Sequence, residues 1–159
     1  VNDLLLSIGT SIAYLRNNIG TPAYNGIIPD GLPAFDSNKK FYSYNPQKSL
    51  ELLKQAGYPN GDGMPEILLT TNSDYLDISK YIQHQLNELG FNLKIDIGTG
   101  PSFRERVAQS KLDFFRASWI ADYPDEQNYL ALFYSKNFSP SGPNYTHYYN
   151  SPLNSKTQF

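Results

Sequence analysis

Between Glu66 and Trp119 the hydrophobic period switches back and forth between that of a strand and that of a helix, and few folds tolerate this. Glu66-Ile67-Leu68-Leu69-Thr70-Thr71 is a short apolar run that reads as a buried strand. Ser73 or Asp74 then caps a helix running to Leu89, with Ile78, Tyr81, Ile82, Leu86 and Leu89 inward, and Gly90 ends it. From Phe91 to Ile97 apolar and polar residues alternate, which is strand period, with Phe91, Leu93, Ile95 and Ile97 on one face. Gly100-Pro101-Ser102 opens a short helix with Phe103 and Val107 inward, and Leu112 to Trp119 makes a third strand. Strand, helix, strand, helix, strand requires crossover connections and therefore parallel pairing. The expected fold class is α/β, a mostly parallel sheet flanked by helices, with residues 66–119 as its βαβαβ core.

The flanks are read around that core. Asn2 or Asp3 caps a first helix that ends near Arg16, within a segment bounded at residue 20. Residues 21–46 form a long connection too rich in Pro and Gly for regular structure. Ile27, Ile28, Leu32 and Phe35 are expected to pack it down. Asn45 caps a helix over 47–57, with Pro46 at its first position and Gly57 at its end. A further helix covers 124–135, and 136–159 is loop and tail. All 159 residues read as a single α/β lobe.

Composition removes several functions. Thirteen basic residues against fifteen acidic, with no basic run, leave nothing to track phosphates, so nucleic acid is not an expected partner. There is no Cys, and His84 and His147 lie far apart, so neither a metal site nor any other cofactor is expected. The stretch from Val1 to Leu15 is too short and too polar to span a bilayer. Ser37-x-x-Lys40 has the spacing of a serine acyl-enzyme motif but lacks the helix and partner motifs such chemistry needs.

Chemistry concentrates in Arg116-Ala117-Ser118-Trp119-Ile120-Ala121-Asp122-Tyr123-Pro124-Asp125. A cation, a large aromatic and a carboxylate are delivered beyond the carboxyl end of a strand, where open α/β sheets bind ligands. Each residue also has a plain structural reading. Asp122 is either a helix cap or an ionised acid free to pair with an ammonium. Trp119 is either core filler or a pocket wall. Arg116 shares strand parity with Phe114 and needs a partner, which is either a structural acid or a ligand carboxylate. A hydrolase would instead use Asp122, Asp125 and Glu126 as its carboxylates, with Tyr and Trp as sugar platforms. Against it, Asp125 and Glu126 fall in the first turn of a helix, and no opposed acid stands at a recognisable spacing.

Three segments resemble the family 5 extracellular solute-binding proteins, the oligopeptide and dipeptide receptors of bacterial ABC importers. They are Gly20-Thr21-Pro22-Ala23 with Ile28-Pro29-Asp30-Gly31-Leu32-Pro33, then Tyr44 to Pro59, then Trp119 to Asp125 with Asn144-Tyr145. The resemblance covers roughly residues 15 to 152. Residues 1–14 fit poorly, since Ile8-Gly9-Thr10 stands where the family usually ends a helix with an Asp-Arg pair, and the likeness is lost after Ser151-Pro152. It implies one lobe, the C-terminal one, of a type II periplasmic-binding-protein fold in a parent about three times as long. It also implies an N-terminal lobe as partner, permease subunits as further partners, and a location in the periplasm or on the outer face of the membrane, leaving open a lipid anchor. By the same likeness Asp122 takes a peptide's amino terminus, Trp119 lines a side-chain pocket, and Arg116 helps hold the peptide carboxylate. Asn144 is implied at the site or as a turn former. Peptide is the expected ligand, with a sugar, an opine or a nickel complex as same-family alternatives, and no enzymatic activity is implied.

Overall fold

A computed structural model describes residues 15–17, 19–41 and 44–147. Its centre is a parallel sheet of three strands among the described residues: β1 (Ile67–Thr71), β2 (Leu93–Ile97) and β3 (Phe114–Phe115), in the order β2-β1-β3. Ile67 stands opposite Leu93 and Thr71 opposite Ile97, so β1 and β2 pair along their full length. The strands are joined through α2 (Leu76–Asn87) and α3 (Gly100–Ala108), and α1 (Pro46–Gln55) precedes them. This is the α/β arrangement that the alternating periods require.

Pairing puts Ile67 and Leu69 on the same face as Leu93, and alternation puts Thr70 and Asp96 on the other. On the first face Leu53 of α1, Leu86 of α2, Leu69, Leu93 and Phe91 form the buried core, with Tyr58, Met64, Ile82 and Phe114 packed against it. Burying such a side chain stabilises by about 1.5–3 kcal/mol. On the second face α3 is held by Val107, which is buried, and by Arg106, whose Nη1 donates to Asp96 Oδ2 at 2.9 Å. Most of this core lies on α1, α2, β1 and β2. The end of β3 is held more lightly, and it is this end that carries the ligand-binding candidates.

Local chemistry sets the element ends. Asn45 accepts from the Lys48 N–H at 2.9 Å and Pro46 is the first residue of α1, as capping rules require. The helix stops at Gln55, slightly inside the expected 47–57, and Gly57 turns the chain with φ +90°. Before α2, Ser73–Tyr75 form a separate 3-10 turn, so the helix starts at Leu76 rather than at a Ser73 or Asp74 cap. Ser79, inside α2, is buried because its hydroxyl donates to the Tyr75 carbonyl at 2.9 Å.

Three expectations need adjustment. The third strand is much shorter than Leu112 to Trp119. Only Phe114 and Phe115 pair with β1, and the Arg116 N–H adds a bond to Thr70 O at 3.0 Å. Because β1 ends at Thr71 and the chain then turns, residues 117–119 have no partner strand there. The helix over 124–135 begins at Glu126, since Asp125 takes the cap position in extended conformation, and after Leu130 it gives way to 3-10 turns at Ala131–Phe133 and Ser135–Asn137. The connection expected over 21–46 is irregular in its described residues before Pro46, but none of Ile27, Ile28, Leu32 and Phe35 is buried. Polar ties hold it instead: Asn25 Nδ2 donates to the carbonyls of Asp36, Ser37 and Lys39, and the Ala34 N–H donates to Glu126 Oε1 at 2.9 Å. The expected first helix lies outside the described residues except for its end at Leu15–Asn17, as does the tail beyond His147.

Candidate ligand-binding site

Where β3 loses its partner, residues 115–119 run between two hollows. One, about 430 Å³, is bounded by Ile27, Ser118, Tyr129, Leu132, Phe133 and Pro143. The other, about 370 Å³, is bounded by Asn72, Phe103, Arg104, Val107 and Arg116. Trp119 and Tyr145 line both. A strand end without a neighbour thus separates two cavities and presents aromatic side chains to each.

Trp119 is not core filler. It is 37% exposed, and its ring is aimed by a single bond, Nε1 donating to Asn128 Oδ1 at 2.6 Å. Asn128 lies in α4 (Glu126–Leu130) and is only 4% exposed. An indole with one polar edge pinned and its ring lining both cavities suits a pocket wall. Nothing in the periodicity of 124–135 singled out Asn128, because its role depends on a contact between two elements.

Arg116 is half-buried, and among the described residues no acid pairs with it. Its guanidinium lies over the Tyr75 ring, 3.4 Å from the centroid. Such stacking uses the face of the group and leaves the N–H donors in its plane available. The sequence left open a structural acid or a ligand carboxylate as partner. The Tyr75 shelf is a third solution, and Tyr75, on the turn before α2, had no sequence signal linking it to Arg116.

Asp122 is exposed and makes no hydrogen bond or ion pair to a described residue. The helix cap that was its structural alternative belongs to Asp125, whose carboxylate accepts from the Gln127 N–H at 2.7 Å. Glu126 is likewise occupied by the Ala34 N–H. Two of the three acids that a hydrolase would need are thus bound to backbone, whereas Asp122 has no partner among the described residues.

Asn144 has the opposite character. It is 1% exposed and its side chain is spent locally: Nδ2 donates to Tyr134 O at 3.0 Å, and Oδ1 accepts from the N–H and hydroxyl of Thr146. With the Asn144 N–H donating to Asn137 O, this ties the loop that places Tyr145 at the cavities. The turn-shaping reading fits this geometry. Among the described residues no three His, Cys, Asp or Glu side chains gather as metal ligands, and no helix is long and apolar enough to cross a membrane.

Three parallel strands with covering helices define one lobe of a type II periplasmic-binding-protein fold. The chain belongs to the family 5 bacterial extracellular solute-binding proteins, whose model for the "middle" region matches residues 10–141. It is 30% identical over 139 residues to the glutathione-binding protein GsiB of Escherichia coli K12, covering 84% of this chain and 27% of that protein. The periplasmic binding protein DppA of Helicobacter pylori, solved with the peptide STSA, superposes with a TM-score of 0.75 at 24% identity, over 90% of this chain and 28% of that one. AgaA of A. tumefaciens R10, solved with agropinic acid, gives 0.73 at 23% identity, over 90% and 30%. The chain thus spans about a quarter of the length of its curated relatives. The proteins of this family are binding proteins, not enzymes.

Proposed function

We propose that this chain is a ligand-capturing lobe of a two-lobed receptor that delivers a small solute, a peptide, to the permease of an ABC importer at the outer face of a bacterial membrane. In this reading a second lobe closes over the cavities beside residues 115–119. Asp122 pairs with the ligand's ammonium, Trp119 supplies an apolar wall, and the in-plane donors of Arg116 meet a carboxylate. Asn144 acts at one remove, by holding the loop that carries Tyr145.

The observation that carries the reading is Asp122. An exposed carboxylate with no partner among the described residues stands three positions past a pinned indole that lines two cavities. Peptide is favoured over sugar because a zwitterion uses both Asp122 and Arg116, whereas a neutral glycan uses neither charge. The fold alone does not choose, since DppA with a peptide and AgaA with agropinic acid share it. Extended peptides also pair through backbone, which is blind to sequence, so end charges give such a receptor its hold. Each charge-assisted bond is worth about 1.5–3 kcal/mol.

The test uses the full-length protein that carries this lobe. Asp122→Ala is titrated calorimetrically with a free tripeptide and with its amino-acetylated form. The variant should lose at least tenfold in affinity for the free peptide and little for the acetylated one. Equal losses would make Asp122 structural. Mass spectrometry of the solutes retained on purification checks the ligand class independently, and recovery of sugars alone would remove the peptide assignment.

A further inference from the structure

Among the described residues, the smaller cavity is lined by the cations Arg104 and Arg116 and by no acid. Arg104 is exposed in the middle of α3 and has no hydrogen bond or ion pair to a described residue. Its neighbours differ: Arg106 is committed to Asp96, and Glu105 accepts from Gln109. Arg116 is stacked on Tyr75 with its edge donors unspent. The chain as a whole is net acidic by two charges, so two unpaired guanidiniums at one hollow are not an overall basic bias. The same wall carries the reverse defect. The amide oxygen of Asn72 is buried and has no donor among the described residues, while its Nδ2 reaches Asp74 at 3.5 Å.

We infer that the cavity between Asn72, Arg104 and Arg116 is an acid subsite, and that Arg104 is the residue selecting a ligand whose end carries a second carboxylate, such as a peptide finishing in an acidic residue. Two guanidiniums lacking acceptors are met by a peptide's last residue when it carries a side-chain acid beside its main-chain carboxylate. Arg116, whose ring shelf fixes its orientation, takes the main-chain carboxylate. Arg104, exposed on α3 across the cavity, takes the side-chain acid. Phe103, Trp119 and Tyr145 line the same space and accommodate the methylene stem between the two acids. This inference rests on the solute-capture reading given above and adds to it a ligand class.

The experiment is a calorimetric comparison of Ala-Ala-Glu with Ala-Ala-Gln on the full-length protein, wild type and with Arg104→Gln or Arg104→Lys. Wild type should prefer the Glu peptide by about tenfold, the yield of one partly exposed charge-assisted bond. Arg104→Gln should bring that ratio close to one while leaving the Gln peptide within about twofold, and Arg104→Lys should keep most of the ratio. Equal binding of the two peptides by wild type, or an Arg104→Gln loss shared equally by both, would overturn the acid subsite while leaving the receptor reading in place. If neither peptide bound and peptides as a class failed, the peptide assignment would fall and take the subsite with it. Arg104 makes no hydrogen bond or ion pair to a described residue, so unchanged circular dichroism and melting confirm that each variant is intact.

Discussion

Replacing Asn128 by leucine tests whether the Trp119 indole is aimed by one hydrogen bond. The two side chains share the same branched heavy-atom skeleton, leucine being the bulkier, so the substitution removes the acceptor without opening a cavity. A hydrogen bond of this kind is worth about 0.5–1.5 kcal/mol net. The larger penalty for a stranded buried donor does not apply, because Trp119 is 37% exposed and its N–H can turn to water. The expected cost in stability is therefore about 1 kcal/mol at most, a factor of roughly five in the folded-to-unfolded ratio. The effect on the ring is larger than the effect on the fold. Trp119 is the sole tryptophan of the chain, so its emission reports on this side chain alone. Asn128→Leu should shift the emission to the red and make it more accessible to a neutral quencher, while the far-ultraviolet circular dichroism stays that of wild type. Unchanged emission and quenching would mean that packing, not Asn128, holds the ring. A loss of several kcal/mol would mean that Asn128 is a core residue first.

Gly90→Ala should be among the most damaging single changes. Gly90 has φ +91°, and a Cβ there would overlap the Asn60 carbonyl, so strain of roughly 1–2 kcal/mol is joined by a backbone clash. Gly63→Ala is the control: its φ is +74° but nothing lies within 4 Å, and it should cost only about 1 kcal/mol in a urea titration. Comparable midpoints for the two variants would refute the close approach of the 59–61 turn to Gly90. Asn45→Ala removes the cap of α1 and should lower the melting temperature by about 2–4 °C, from a loss of about 1 kcal/mol. Glu126→Ala should speed hydrogen exchange at the Ala34 amide, whereas Glu126→Gln, which keeps an acceptor, should not. Slow exchange in both would show that the long connection is held by other contacts.

Periodicity was enough for the architecture. The strand and helix periods over 66–119 require parallel β1, β2 and β3, because short apolar runs separated by amphipathic helices have no other way to bury their faces. The cap at Asn45 and the inward Val107 were legible for the same reason, since each depends on a few consecutive residues. The sequence stretch that carries Arg116, Trp119 and Asp122 stood out too, and the structure puts Arg116 and Trp119 on one cavity, while Asp122 is exposed and lines neither. What each of them touches was not legible. Tyr75 beneath Arg116, Asn128 behind Trp119, Arg104 across the cavity and the Ala34 amide on Glu126 all lie on other elements, and pairings between elements follow from how helices and loops pack rather than from spacing along the chain. The length of β3 belongs with them: its own residues favour a longer strand, but a strand is as long as its neighbour allows, and β1 ends at Thr71. Local sequence chose which elements form and where the charged and aromatic residues lie along the chain; tertiary packing chose their partners, and so which charges keep none among the described residues.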